Sequence, residues 1–365
     1  MPVQADSPPS VRRPLAFARL GAALLLGCAV PLVAAPSAAA EEAGAPAPES
    51  FVRCQVTDPA LAEISGLVDL GVRMVVMNDG GEQVSVSLLD TDCRVVETRT
   101  AAVDPYDPED LALGADGTLW LADIGDNNSV RETVALIALR PDDSAEVHRL
   151  TYPDGAHDAE ALLLAPDGTP YIVTKEVLGS SGVYRPRGPL SVDATVPMER
   201  VATVNMTLTG TAGGPVGRAG QLLITGGAVA PDGRALALRT YTDAYVWPLT
   251  GSDVVGALAG TPVRVALPPS PQGEAISFTA DGDRLVVASE GVPSDVVEVA
   301  VPDDSASTDS VPAGSAAADD TDESGPVPTL SELTDSAAAT ISTAVIAAAV
   351  AGAVIWIGAL LLRRR

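Results

Sequence analysis

Between residues 51 and 300 one pattern returns five times. The segments Glu63-Ile64-Ser65-Gly66-Leu67, Glu109-Asp110-Leu111-Ala112-Leu113, Glu160-Ala161-Leu162-Leu163-Leu164, Thr225-Gly226-Gly227-Ala228-Val229 and Glu274-Ala275-Ile276-Ser277-Phe278 align without gaps. Eight residues after each first position stands a glycine: Gly71, Gly117, Gly168, Gly233 and Gly282. Asp116, Asp167, Asp232 and Asp281 precede four of them. Asp-Gly favours a tight hairpin, because glycine accepts a positive φ and aspartate bonds the backbone just ahead of it. An apolar run follows every turn, so each unit opens with two antiparallel strands. The repeat intervals are 46, 51, 65 and 49 residues, the length of a four-stranded blade.

The spacing therefore predicts an all-β chain, a five-bladed β-propeller. Later strands fall at 84–89 and 95–103, 134–139 and 146–151, 182–184 and 200–204, 244–248 and 263–266, and 295–301. The fifth unit lacks a fourth strand, and residues 51–56 can supply it, closing the ring and removing free edges. A six-bladed ring, using the long third interval for extra strands, is the alternative. Cys54 then lies on the closing strand and Cys93 on the neighbouring blade, and a disulfide between them is expected to lock the closure.

The two ends carry membrane signals. Residues 1–40 read as an export signal: Arg12, Arg13 and Arg19, an apolar stretch, then Ala38-Ala39-Ala40 as a cleavage site. Arg12-Arg13 loosely matches a twin-arginine signal, though an ordinary secretory route fits better, and Cys28 sits in a weak lipobox. Residues 41–50 form a linker. Residues 301–338 form an acidic stalk with nine carboxylates and no base, which cannot bury enough apolar area to offset chain entropy. Residues 339–362 read as a membrane span: Ile341 to Leu362 are 22 residues without a charge, enough for a helix of ~33 Å, matching a bilayer core. The basic stub 363–365 obeys the positive-inside tendency. Together these predict a single-pass type I protein of the cell membrane with its body outside.

Charge narrows the partners. Acids number 48 against 22 bases, for a formal net charge of −26, and 47 of the acids lie between residues 41 and 335. Such a body repels phosphate backbones, which excludes nucleic acid. An unidentified small ligand or surface protein is the expected partner.

The repeat, the Asp-Gly hairpins and the strands after them resemble those of extracellular β-propellers in the broad NHL, gluconolactonase-like and phytase-like group. That resemblance implies a calcium-dependent hydrolase, a lactonase or a binding module, and no motif selects among them. The repeat register gathers Glu63, Glu109, Glu160 and Glu274 on one face near the axis. Beside them come Asp79, Asp123, Asp126, Asn127, Lys175, Glu176, Arg239 and Glu290, with Asp110, His157 and Asp158 in adjoining loops. Several carboxylates around a narrow axis repel one another, so they take up protons, pair with bases or bind a cation. Calcium, with six to eight oxygen ligands, is the cation expected outside a cell, and Glu63, Glu109, Glu160, Glu274 and Asp126 are its candidate ligands. The competing reading is structural: each glutamate bonds the next blade or pairs with Lys175 or Arg239. His157 is the single candidate general base. A binding module working through the acidic face is favoured over a calcium-dependent phosphoester or lactone hydrolase.

Overall fold

The computed structural model describes residues 48–302. The expected signal, most of the linker, the stalk beyond residue 302, the membrane span and the basic stub lie outside the described residues. Among the described residues no helix is long and apolar enough to cross a membrane.

The architecture is all-β, consistent with a β-propeller. After β1 (Ser50–Val56) the chain runs through successive antiparallel meanders. The first comprises β2 (Ile64–Asp69), β3 (Met74–Asn78), β4 (Val84–Leu89) and β5 (Val95–Ala101). The next comprises β6 (Pro108–Leu113), β7 (Leu119–Asp123), β8 (Val134–Leu139) and β9 (Ala145–Thr151). Then come β10 (Ala159–Leu164), β11 (Pro170–Thr174), β12 (Ser180–Pro186) and β13 (Val196–Asn205). β14 (Ile224–Val229), β15 (Ala235–Thr240), β16 (Asp243–Pro248) and β17 (Val263–Ala266) follow, and β18 (Gly273–Phe278), β19 (Arg284–Ser289) and β20 (Ser294–Ala300) end the series. β1 completes the last sheet by pairing antiparallel with β20. A short parallel contact, Val196 opposite Leu150 and Pro197 opposite Thr151, joins β13 to β9 at their outer edges. The long third interval holds a loop and the 3-10 turn Gly217–Gln221, with no strand between β13 and β14.

The first strand of each meander faces its neighbours: β2 packs on β6, β6 on β10, β10 on β14, β14 on β18 and β18 on β2. The sheets stack through aliphatic faces. Ala161, Leu163 and Val173 meet Ile224, Leu236 and Leu238, and Leu67, Met74 and Val76 meet Ala275, Val286 and Ala288. Strands buried on both faces need continuous apolar runs, which is where a chain with 3% aromatic residues spends its Ala, Val and Leu.

The turn chemistry is as the sequence dictates. Gly71, Gly117, Gly168, Gly233 and Gly282 all adopt φ between 71° and 85°. Asp116, Asp167, Asp232 and Asp281 each accept a hydrogen bond from the backbone N–H two residues on, which closes the turn. Cys54 on β1 is bonded to Cys93 in the β4–β5 turn, with Cα atoms 5.6 Å apart, so the closing strand is stapled to the first meander.

One register differs from the gapless alignment. Every first strand carries a β-bulge near its start, and the residue left without a cross-strand partner is Ser65 in β2, Glu109 in β6, Glu160 in β10 and Thr225 in β14, with Glu274 and Ala275 both unpaired in β18. The first bulge lies six residues before its hairpin glycine rather than eight. Ser65, not Glu63, is thus the counterpart of Glu109, and Glu63 stands two residues ahead of it.

Candidate functional site

The bulge decides which side chains reach the axis. An unpaired residue leaves the strict in–out alternation of a strand and can be aimed sideways. Glu109, Glu160 and Glu274 are all buried, and one carboxylate oxygen from each lies within 4.8 Å of the others. The other two bulge positions hold hydroxyls. Ser65 Oγ donates to the Glu109 carbonyl and lies 3.4 Å from Glu109 Oε2, and Thr225 Oγ1 donates to the Gly273 carbonyl at 3.0 Å.

A second tier lies two residues earlier: Glu63, Asp107, Asp158 and Gln272. The chain just past each second strand hydrogen-bonds to it, from Asp79 N–H to the Glu63 carbonyl, Gly125 to Asp107, Lys175 to Asp158 and Glu290 to Gln272, at 2.9–3.0 Å. This places Asp79, Gly125, Lys175 and Glu290 in equivalent positions around the cluster. Lys175 Nζ lies 2.6 Å from Glu160 Oε1 and 5.4 Å from the centre of the Tyr241 ring. Tyr241 OH and Gln272 Nε2 reach Glu274 Oε1 at 3.4 and 3.3 Å. Glu160 Oε2 is buried and has no hydrogen-bond partner. Gly125 leaves room for its neighbours: a Cβ there would collide with Glu109 Oε1 and stand 2.7 Å from the Asp107 carboxylate.

The electrostatics follow from packing many acids into little water. Burial raises Glu109 well above the ordinary carboxylate range, and Glu160, Asp107 and Glu274 add to it. Burial raises Glu160 likewise, with Lys175 opposing and Glu274 and Asp158 reinforcing. Asp79 is pushed up to about 7 by burial and by the charges of Glu63, Glu274 and Asp107. Asp107 also reaches about 7, through burial and Asp158, with Arg131 opposing. Glu290 rises to about 10 through burial and its contact with Glu274. Burial disfavours the Lys175 ammonium, but Glu160, Tyr241, Glu274 and Asp158 outweigh it and hold the proton firmly.

Other sequence candidates have different surroundings. Asp110 is not in a loop: it lies in β6, fully buried, and its carboxylate accepts three backbone N–H groups. Arg239 is fully buried, donates to the carbonyls of Ala275 and Ala288 at 2.5 and 2.9 Å, and is lowered to about 9 by burial. It ties β15 to the last sheet. Asp123 pairs with Arg131 at 3.0 Å and accepts the Asp107 N–H, while Asp126 accepts the Arg131 N–H at 2.7 Å. Asn127 is exposed. Asp158 accepts the Asp126 N–H at 2.9 Å. His157 belongs to a separate group, 3.1 Å from Asp154 and from Tyr184 OH and 3.6 Å from Glu176. Asp107, absent from the sequence candidates, stands two residues before Glu109 as Asp158 stands two before Glu160, a repeat visible in the gapless register. In the observed register it matches Glu63 and Asp158, an acidic position two residues before the bulge.

No family model matches the chain, and no curated protein matches it. It is similar to a solved protein provisionally described as a gluconolactonase, at 11% identity over 70% of this chain and 93% of that one, with a TM-score of 0.39. It is also similar to a gluconolactonase of Xanthomonas campestris, at 18% identity over 66% and 73% of the two chains, TM-score 0.39. A third similar structure is a catalytically inactive virginiamycin B lyase of Staphylococcus aureus with quinupristin, at 9% identity over 70% and 75%, TM-score 0.33.

Proposed function

We propose that the chain is a five-bladed, extracytoplasmic β-propeller, tethered by a C-terminal membrane helix, that binds calcium between Glu109, Glu160 and Glu274 and presents its acidic face to a ligand. One observation carries this reading: three buried carboxylates share a space, with one ammonium beside them and one orphaned oxygen, Glu160 Oε2. Buried anions without partners are costly, so protons or a cation must offset them. The donor set is all oxygen, which suits a hard cation. Ligands held at ~2.4 Å by one calcium can stand at most about 4.8 Å apart, and the three oxygens meet that limit. Bound calcium would neutralise the carboxylates and offer further positions to ligand oxygens. The tether is supported by the charge-free run before Arg363-Arg364-Arg365.

The test is thermal unfolding of the full-length chain in mild detergent, with calcium and with chelator. An ion that binds the folded state raises its stability by about 2.7 kcal/mol at a hundredfold excess over Kd. The expected result is a higher Tm in calcium, and an unchanged Tm at millimolar calcium sinks the reading. One feature favours a hydrolase as the second reading: Asp79 and Asp107, both held near 7, border the cluster and can take a proton at neutral pH. Turnover of ester or lactone substrates, lost in Asp107→Asn, would establish it.

A further inference from the structure

Asp110 follows Glu109 in β6 and is fully buried. Its Oδ1 accepts the N–H of Leu111 on its own strand at 2.8 Å. Its Oδ2 accepts two N–H groups from other strands, Leu162 of β10 at 2.7 Å and Gly227 of β14 at 3.0 Å. One carboxylate thus ties together the first strands of three consecutive meanders. Those strands carry or touch the whole cluster. Glu109 is the residue before Asp110, and Glu160 is two residues before Leu162. Gly226, beside Gly227, lies so close to the Glu274 carbonyl that a Cβ there would stand 2.5 Å from it.

The geometry points to Asp110 as the positioning residue of the axial cluster: by gathering the N–H groups of Leu111, Leu162 and Gly227 it sets the spacing of Glu109, Glu160 and Glu274. The inference rests on the calcium reading above for what the cluster holds, but not for the spacing itself. No other side chain does this work at neutral cost. An asparagine has one acceptor oxygen and an NH2 group, so at position 110 it would turn N–H towards N–H on at least one side. A glutamate would have to fit an extra methylene into a packed interior.

The same holds from the donor side. Gly227 has no Cβ, and one built there would press on Leu163 at 3.1 Å and Ala161 at 3.2 Å. Gly227→Ala therefore pushes β14 away from β10 while leaving the carboxylate in place. Groups that orient ligating side chains are typically worth roughly 10–100-fold in metal affinity.

The test measures two quantities on the full-length chain in detergent. The first is calcium affinity by titration calorimetry. The second is the 15Nζ resonance of lysine, which reports the cluster alone because Lys175 is the single lysine of the sequence. Asp110→Asn and Gly227→Ala are compared with Leu89→Ala, a core substitution in β4. Asp110→Asn is expected to weaken calcium at least roughly tenfold and to shift the Lys175 signal in chelator; Gly227→Ala gives a smaller change of the same kind. Leu89→Ala lowers Tm but leaves both readouts at the wild-type value. A folded Asp110→Asn with wild-type affinity and an unmoved Lys175 signal overturns the proposal. If Asp110→Asn does not fold, Gly227→Ala decides by the same two readouts. If the wild type binds no calcium, the functional reading fails, and the Lys175 signal in chelator still decides whether Asp110 sets the spacing.

Discussion

Lys175 Nζ stands 2.6 Å from Glu160 Oε1, and this ion pair is buried on both sides, the side chains being 14% and 3% exposed. It joins the single lysine of the chain to a cluster of carboxylates that it does not fully neutralise. Removing one partner of a buried pair leaves the other uncompensated, at roughly 3–5 kcal/mol. Lys175→Met should therefore lose about that much stability in chelator. Calcium should recover most of the loss, so the calcium-induced rise in Tm is larger in the variant than in the wild type. Thermal unfolding with and without calcium checks both parts.

Asp79 and Asp107 set a pH dependence of unusual sign. Their folded-state values near 7 lie above the unfolded value of 3.8. The folded state holds more protons in that interval, so their contribution to stability is complete below pH ~4 and is lost as pH rises through 7, at about 1.4 kcal/mol per pH unit for each group. In chelator, stability should fall between pH 5 and 7. Calcium must compete with those protons, so its affinity should rise over the same range, with proton release on binding. Denaturant unfolding across pH and calorimetry in buffers of different ionisation enthalpy measure the two effects. Stability that climbs from pH 5 to 7 in chelator would contradict the assigned surroundings of both aspartates.

Gly125 is a steric requirement of the site. Its φ is not positive, so alanine is admissible to the backbone; the obstacle is Glu109 Oε1 and the Asp107 carboxylate. Gly125→Ala should displace both carboxylates and reduce the calcium-induced Tm shift by half or more. Gly188→Ala, where a Cβ meets nothing within 4 Å, should leave that shift unchanged.

The Cys54–Cys93 bond spans 39 residues and fastens the closing strand. Constraining a loop of this length stabilises by roughly 2–4 kcal/mol. Replacing both cysteines with serine should lower stability by about that amount while leaving the calcium affinity of the folded protein intact, since β1 and the β4–β5 turn lie on the opposite side of their sheets from the first strands β18 and β2. Denaturant unfolding and calorimetry on the double variant test this.

Much of the scaffold is legible in the residues themselves. The five hairpin glycines, the strands at 84–89, 134–139 and 263–266, the closure by residues 51–56 and the disulfide follow from turn chemistry and apolar runs, which act locally. The site is less legible because a bulge adds a residue without altering composition. The pattern at Glu63-Ile64-Ser65 looks like that at Glu109-Asp110-Leu111, yet the shorter first hairpin moves Ser65 into the axial position. Asp110 is hidden for a different reason: two of its three N–H donors, Leu162 and Gly227, are distant in sequence. Lys175 and Arg239 carry the same charge, but Lys175 enters the carboxylate cluster while Arg239 is consumed by the carbonyls of Ala275 and Ala288.

Anomalous diffraction from crystals grown in calcium is the most direct measurement of the axial site. A peak bonded to oxygens of Glu109, Glu160 and Glu274 at about 2.3–2.6 Å is expected. An ordered cluster with no peak, its carboxylates held by the Lys175 ammonium and by protons alone, would contradict the account.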